Sequence, residues 1–456
     1  MRGPLAGGAL IVYISTHMTF DPNVYATRRA RIFEELERRG GGVMVLPAAG
    51  EKLRNGENEY LFRQDSDHAW AVGLDEPDGC AVFAARGGER RLVLFVRPRD
   101  REKEIWTGRR AGVEGAKELY GADEAFTVSE MDDLLPALVE GAPTLWYRLG
   151  FDAAWDARLT RVLVALRAAA RTGKRAPEAV ADSGRILHEL RLVKGPDELA
   201  KLRRAADLTA EAHMAAMRDG QPGRRESQVQ AEIEYAFRRR GGTGPGYSTI
   251  VAAGVNSTIL HYRAGDTVLR DGDVCLVDAG GEYEWYTADV SRTFPVSGEF
   301  TPAQRELYAL CLALQKDAIL AVRPGTTLDA IHDGVVRRIT EGLVGLGLLK
   351  GSVDERIADK SYRKYYMHRT SHWLGMDVHD VGDYLVDGKP RPLVPGMVLT
   401  IEPGIYVPED DQDAPAELRG VGIRIEDDVL VTEGGQVNLT EGVPKELADL
   451  EAVCVR

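Results

Sequence analysis

The chain has little of what would place it in several familiar classes. Its 456 residues include four cysteines, Cys80, Cys275, Cys311 and Cys454, none in a Cys-x-x-Cys pair. That scatter excludes a zinc ribbon or a thioredoxin-type redox pair and reads as buried free thiols in a reducing compartment. Basic residues are outnumbered, 58 against 71 acidic ones for a net charge of −13. Nucleic-acid binding draws on a basic surface, so nucleic acid is not an expected partner. The apolar stretch near the N-terminus, LAGGALIVYIS at 5–15, falls short of the roughly 20 residues a bilayer span takes, and no A-x-A cleavage site follows it. No membrane association is expected. Coiled-coil heptads, low-complexity tracts and solenoid repeats are missing as well.

What is present describes a globular protein. Hydrophobic residues make up 44% and charged ones 28%, over a length too great for one ordinary core. The step His17-Met18 has the form of a cloning junction, and MTFDPNVYATRRARIF from Met18 reads as a natural start. Residues 1–17 are therefore expected to be a vector-derived or mis-assigned leader, and the protein cytoplasmic. From Asn23 to about Arg39 the apolar residues Tyr25, Ile32, Phe33 and Leu36 mark an amphipathic helix. Short apolar runs at 43–48, 80–85, 91–96 and 144–150 alternate with helical segments and predict a mixed α/β domain over 18–181. A second domain, 182–456, opens with Pro196 at a first helical position and Asp197 and Glu198 in the first turn. Further helices are predicted from Glu226 to Arg240 and after the Thr301-Pro302 cap, and strands at 274–279, 288–296, 397–407 and 422–431.

The strands carry the chemistry. Asp278 in LVDAGG, Asp289 in TADVSRTFP, Glu402 in LTIEPGIY and Glu426 in GIRIEDDVLV each lie in or beside an apolar, β-prone run, and His372 sits in TSHWLGMDVHD. A lone buried charge is costly. Four carboxylates brought together repel one another and protonate unless cations sit among them. Two divalent ions balance four carboxylates and a neutral imidazole, and such an oxygen-rich set suits Mn²⁺, with Zn²⁺ or Co²⁺ as alternatives. An internal echo supports convergence: Gly272, Val274, Asp278 and Gly280 recur 124 positions on as Gly396, Val398, Glu402 and Gly404. Upstream of each set lies a Pro-Gly pair, Pro222-Gly223 and Pro324-Gly325, leading into a helical pattern. Two related halves would bring the two acids to one seam. A chain reversal at Tyr283-Glu284 would also set Asp278 directly opposite Asp289.

These motifs resemble the pita-bread metallopeptidases, and the stretch from about Tyr247 to Thr440 is most similar to the bacterial aminopeptidase P group, which removes the residue preceding an N-terminal proline. NEYLFRQDSD at 58–67, GLDEPD at 73–78 and EIWTGRR at 104–110 resemble its N-terminal domain, and LHELRLVKGPDELAKLRRA at 187–205 the entry to its catalytic domain. The resemblance implies an α+β architecture: a pseudo-twofold pita-bread catalytic domain preceded by a smaller mixed α/β domain.

It also implies roles. Asp289 and Glu426 would bridge two ions, Asp278 would bind one, and His372 and Glu402 would complete the other, with Glu402 also shuttling a proton. His261, His368 and His379 resemble the histidines that hold substrate carbonyls, and Tyr406 a tyrosine near the metals. Arg424, two residues before Glu426, is expected on the same strand face as that acid, in a salt-bridging, ligand-orienting role. Departures stand beside these matches. Arg369 follows His368 where the family commonly has glycine, which leaves substrate length open. Glu57 is a substitute for an amine-binding aspartate. Trp106 resembles a residue lent to a neighbouring subunit, implying a homo-oligomer, a dimer or tetramer. The substrates implied are peptides with proline in the second position. Prolidase, which shares the five ligands and cuts dipeptides, is the competing enzyme reading, and a metal-free pita-bread binding module the competing non-enzyme one.

Overall fold

A computed structural model describes residues 12–13 and 19–454, so the expected leader at 1–17 lies almost wholly outside the described residues. The chain divides into two compact units between Arg191 and Leu192.

The first unit is built on a six-stranded mixed sheet. In spatial order its strands are Ala179–Ala181, Thr144–Trp146, Gly42–Pro47, Cys80–Arg86, Glu89–Val96 and Glu124–Thr127. The central three run antiparallel and the outer neighbours join them in parallel. Four of these six strands are the apolar runs read from sequence, the run at 144–150 being strand only as far as Trp146. Val43, Val45, Val82, Val93 and Phe95 pack with Leu135 and Leu159 from helices Met131–Val139 and Ala153–Ala168 into one core. Helix Pro22–Arg38 is capped by Asp21, whose side chain accepts from Asn23 N, and it buries Tyr25, Ile32, Phe33 and Leu36, the face its periodicity predicts.

In the second unit, helices Pro196–Asp219, Glu226–Arg239, Pro302–Ala321 and Leu328–Gly345 pack around antiparallel strands. Thr301 and Gln304 close a capping box at the start of the third helix. Two ribbons form the centre. Ile250–Ala253, Val274–Asp278 and Ser291–Pro295 make one, and Val398–Ile401, Asp427–Thr432 and Gly435–Asn438 the other.

The echo in the sequence is an echo in space. Gly272 and Gly396 both take positive φ ahead of their strands, 84° and 92°. Gly223 donates to Leu269 O and Gly325 to Leu393 O, each at 2.9 Å. Isolated bridges join Arg225 to Val268 and Thr327 to Pro392. The acceptors and bridge partners in the two halves are again 124 positions apart. All four cysteines are buried and free, and no described helix is long and apolar enough to cross a membrane.

Candidate metal centre

The acids sit where strands break. The expected strand 397–407 resolves into Val398–Ile401 and Gly404–Val407, with Glu402-Pro403 between them. The expected strand 422–431 resolves into Val421–Arg424 and Asp427–Thr432, with Ile425-Glu426 between. Asp289 lies in the gap between Tyr286–Thr287 and Ser291–Pro295, and Asp278 is the last residue of its strand. At each break the backbone changes partner. Glu402 N donates to Thr370 O at 2.9 Å and Glu426 N to Ser291 O at 3.1 Å, while Asp289 N reaches the carboxylate of Asp428 at 3.1 and 3.3 Å. A continuous strand would hold its side chains to strict alternation. The breaks release Asp289, Glu402 and Glu426 from that alternation, and with Asp278 at its strand end all four line one cleft of about 860 Å³.

The hairpin register differs from the expected one. Val274 pairs with Pro295 and Asp278 with Ser291, while Tyr283 pairs with Tyr286. The reversal is at Glu284-Trp285, whose φ values of 46° and 70° are those of a tight two-residue turn. The Cβ of each residue disfavours positive φ there, and no Gly or Asn marks the turn, so the reversal falls one residue later than the expected Tyr283-Glu284. Asp289 therefore sits diagonally from Asp278 on the same face. The Tyr247 hydroxyl lies 2.6 Å from a carboxylate oxygen of each. A Cβ at Gly280 would stand 1.7 Å from Ala288 O, so only glycine permits this close approach.

The electrostatics of the cluster call for cations. Asp289, His372 and Glu426 offer ligand atoms that all lie within 4.8 Å of one another. His372 Nε2 is 3.3 Å from Asp289 and 3.6 Å from Glu402. Its Nδ1 donates to Trp373 O at 3.0 Å, which turns Nε2 toward the acids. Against the pull of burial, Asp289 and Glu402 raise His372 to about 9, so Nε2 gives up a proton when it takes a ligand role. Burial, with the Asp289 charge added to it, pushes Glu402 up to about 7, against the pull of His372. Burial likewise raises Glu426 well above the carboxylate range, helped by Asp289, Glu402 and Asp278. Burial raises Asp278 too, although Arg424 opposes it. Tyr247 has one proton to share between two carboxylates, which points the same way. Carboxylates so placed hold protons unless positive charge replaces them. Four oxygen ligands and an imidazole nitrogen fit divalent cations of hard or borderline character.

Around the acids, Arg424 does more than its position two residues before Glu426 suggested. Its Nη2 donates to Asp278 at 2.7 Å, Nη1 to the Tyr406 hydroxyl at 3.0 Å and Nε to Ser291 Oγ at 2.8 Å. Ser291 Oγ in turn donates to Glu426 at 2.7 Å. One guanidinium thus orients two acids, the second through a serine. Tyr406 is buried and touches His368 Nε2 at 3.0 Å, while His368 Nδ1 donates to Arg369 O at 2.7 Å. Burial, with Arg424 nearby, holds His368 down at about 4, so its imidazole is neutral. His379 stands edge-on to His372 with ring centres 4.5 Å apart, and His261 lines the same cleft. Arg369 also lines it, in an ion pair with Asp329. Glu57 and Trp106 belong to the first unit. Glu57 lies at an exposed turn between strands Leu53–Asn55 and Asn58–Glu59, and Trp106 is 86% exposed on helix Arg101–Thr107.

Several participants escaped the sequence reading. Tyr247 and Ser291 carry no motif of their own. Asp427 and Asp428 were visible as the acids after Glu426 in IEDD, yet both are buried: Asp428 caps the Asp289 amide, and Asp427 binds Arg292 and Lys445. Glu226 is buried at the start of its helix. It accepts from Ala253 N, Asn256 Nδ2 and the Tyr262 hydroxyl at 2.8–2.9 Å, and so fixes the loop that carries His261.

Residues 200–433 match metallopeptidase family M24, and residues 25–146 match the aminopeptidase P N-terminal domain. The Xaa-Pro aminopeptidase of Escherichia coli K12 is 43% identical over 432 residues, covering 94% of this chain and 97% of that protein. Xaa-Pro aminopeptidase 3 of Homo sapiens is 36% identical over 445 residues, covering 94% of this chain and 85% of the relative. Among solved structures, Pseudomonas aeruginosa aminopeptidase PepP superposes with a TM-score of 0.92 at 44% identity, over 95% of this chain and 98% of its own. A zinc-substituted E. coli aminopeptidase P in complex with product gives a TM-score of 0.92 at 42% identity, with the same coverage of both chains.

Proposed function

The chain belongs to metallopeptidase family M24, with an aminopeptidase P N-terminal domain, and from that premise we propose that it is a dinuclear metal-dependent aminopeptidase hydrolysing the bond between an N-terminal residue and a following proline. The observation that carries this reading is the convergence of Asp289, His372 and Glu426 within 4.8 Å, beside Asp278 and Glu402 in one cleft. Asp289 and Glu426 would lie between two divalent ions, Asp278 would serve one, and His372 and Glu402 the other. Mn²⁺ fits best, with Zn²⁺ or Co²⁺ as alternatives. Such ions supply an acidified water and draw off the developing negative charge.

The chain's own residues do the rest. Arg424 fixes Asp278 directly and Glu426 through Ser291, so the acids keep their aim as substrate enters. Glu402 takes a proton from the attacking water and delivers it to the proline nitrogen. That nitrogen belongs to a tertiary amide and leaves only when protonated. His261 and His379 make no hydrogen bond through their ring nitrogens among the described residues, and so they are available to the substrate carbonyl and the oxyanion. His368, neutral with its one proton on Nδ1, accepts the Tyr406 hydroxyl at Nε2 and so positions rather than donates. Proline offers no N–H and a fixed φ. A site that grips carbonyls with histidines does not need the missing donor.

The remaining readings rest on the same premise. Glu57 pairs with the substrate's ammonium, and Trp106, bare on its helix, packs in a homo-oligomer, a dimer or tetramer. The protein works in the cytoplasm. The deciding assay measures kcat/KM with Mn²⁺ for Gly-Pro, Gly-Pro-Ala, a longer Xaa-Pro peptide and an alanine control. Tripeptides and longer substrates are expected to exceed the dipeptide. A strong dipeptide preference would move the assignment to prolidase, and efficient cleavage of the alanine control would end the claim of proline specificity.

A further inference from the structure

We propose that Arg369 is a specificity-determining residue that receives a carboxylate carried by the substrate beyond the proline, and that Asp329 tunes it. The inference rests on the aminopeptidase reading, because such an enzyme accepts one residue on the upstream side of the cut. Whatever else the peptide carries must run out through the cleft mouth.

Away from its acids, the cleft lining has an unusual charge for this chain. Setting aside the metal cluster and Arg424, the charged residues lining the cleft are Arg263, Arg369, Arg391 and Asp329. Three arginines face one aspartate in a protein whose net charge is −13. Arg369 is well placed to act. Its side chain is 59% exposed, and its guanidinium pairs with Asp329. Asp329 stands in the first turn of helix Leu328–Gly345, held by the Thr327 cap. A guanidinium has five donors in a flat fork. The aspartate leaves enough of them to take a second carboxylate in bidentate fashion.

The backbone beneath is fixed. Arg369 O accepts from His368 Nδ1 at 2.7 Å, and the next carbonyl, Thr370 O, accepts from Glu402 N at 2.9 Å. The segment that aims Glu402 at the scissile bond therefore also sets the reach of Arg369. The carboxylate has two sources: the C-terminus of a short peptide, or an Asp or Glu side chain in a longer one.

The test compares kcat/KM within two peptide pairs on the Mn²⁺-loaded enzyme, Gly-Pro-Ala against its C-terminal amide, and Gly-Pro-Glu-amide against Gly-Pro-Gln-amide. The carboxylate member is expected to win by about five-fold, the size of a solvent-exposed charge contact. Preference in the first pair alone identifies the terminal carboxylate as the ligand, and in the second alone the acidic side chain. Arg369→Ala should bring the preferred ratio close to one, and Arg369→Lys should keep part of it. Asp329→Asn should raise it, because the competing carboxylate is gone. Wild-type ratios near one in both pairs, or a ratio untouched by Arg369→Ala, would overturn this proposal alone. Turnover of none of the four peptides would sink the aminopeptidase reading and this inference with it.

Discussion

Asp427→Asn exchanges one oxygen for an amide group in a side chain with no exposure to solvent. Its Oδ1 accepts from Arg292 Nη2 at 2.7 Å and Thr440 Oγ1 at 2.9 Å, and Oδ2 accepts from Gln315 Nε2 at 2.6 Å and from Lys445 Nζ. Every neighbour is a donor. Whichever way the new amide turns, its NH₂ faces two of them. The substitution also removes the charge that balances Arg292, itself fully buried, and Lys445. Taking one partner from a buried ion pair costs about 3–5 kcal/mol, and each stranded buried donor about 1–3 kcal/mol. The two costs overlap because they concern the same groups, so a loss of about 4 kcal/mol is expected. The damage reaches the metal centre: Arg292 Nη1 also donates to Glu426 O at 2.6 Å and Ser291 O at 2.9 Å. Urea unfolding should show a lower midpoint at unchanged slope, and the variant should retain less Mn²⁺ at a fixed free concentration. Asp410→Asn, at an exposed position, is the control and should stay within about 0.5 kcal/mol. A loss below about 1 kcal/mol for Asp427→Asn would show that this network does not hold Glu426, against the buried-pair expectation.

Chelation should abolish turnover and Mn²⁺ restore it, with Asp289→Ala or Glu426→Ala losing more metal than Asp278→Ala by elemental analysis; full activity in verified metal-free protein would refute the metal requirement. Glu402→Gln keeps a carbonyl ligand but carries no proton, so kcat should collapse while some metal and substrate binding persist. Equal loss of all three would leave Glu402 a structural ligand only. His68, buried with neither ring nitrogen hydrogen-bonded, has its pKa pushed by burial from 6.5 down to about 3. The folded chain keeps it neutral while the unfolded chain protonates it, so stability falls as pH drops from about 6.5 toward 3, by about 2 kcal/mol at pH 5. His68→Phe should remove that part of the acid loss, and urea curves whose pH dependence matches wild type would contradict the assignment.

Much of this molecule could be read from local pattern. The helix faces of 22–38 and 226–239, the Thr301 cap and the apolar strands of the first unit follow from periodicity and end chemistry, which depend on neighbours in sequence. Four candidate ligands were legible because acids in apolar runs are costly, His372 through the motif it shares with the family, and the 124-residue echo because duplicated geometry needs glycine at the same turns.

What the tertiary structure decided is convergence. The break at Glu402-Pro403 has a local mark in Pro403, which offers no N–H to a ladder, while the break at Ile425-Glu426 has none. Where the N–H groups of Glu402 and Glu426 go, to Thr370 O and Ser291 O, is decided by long-range packing. The register that sets Asp278 against Ser291 rather than Asp289 depends on a turn at Glu284-Trp285 held in place by the surrounding fold. Tyr247, Ser291, Asp427 and Glu226 are ordinary residues in sequence. They acquire a role only when chain segments from 31 to 135 residues apart are folded against one another. Sequence recorded which groups were available, and long-range packing selected which of them meet.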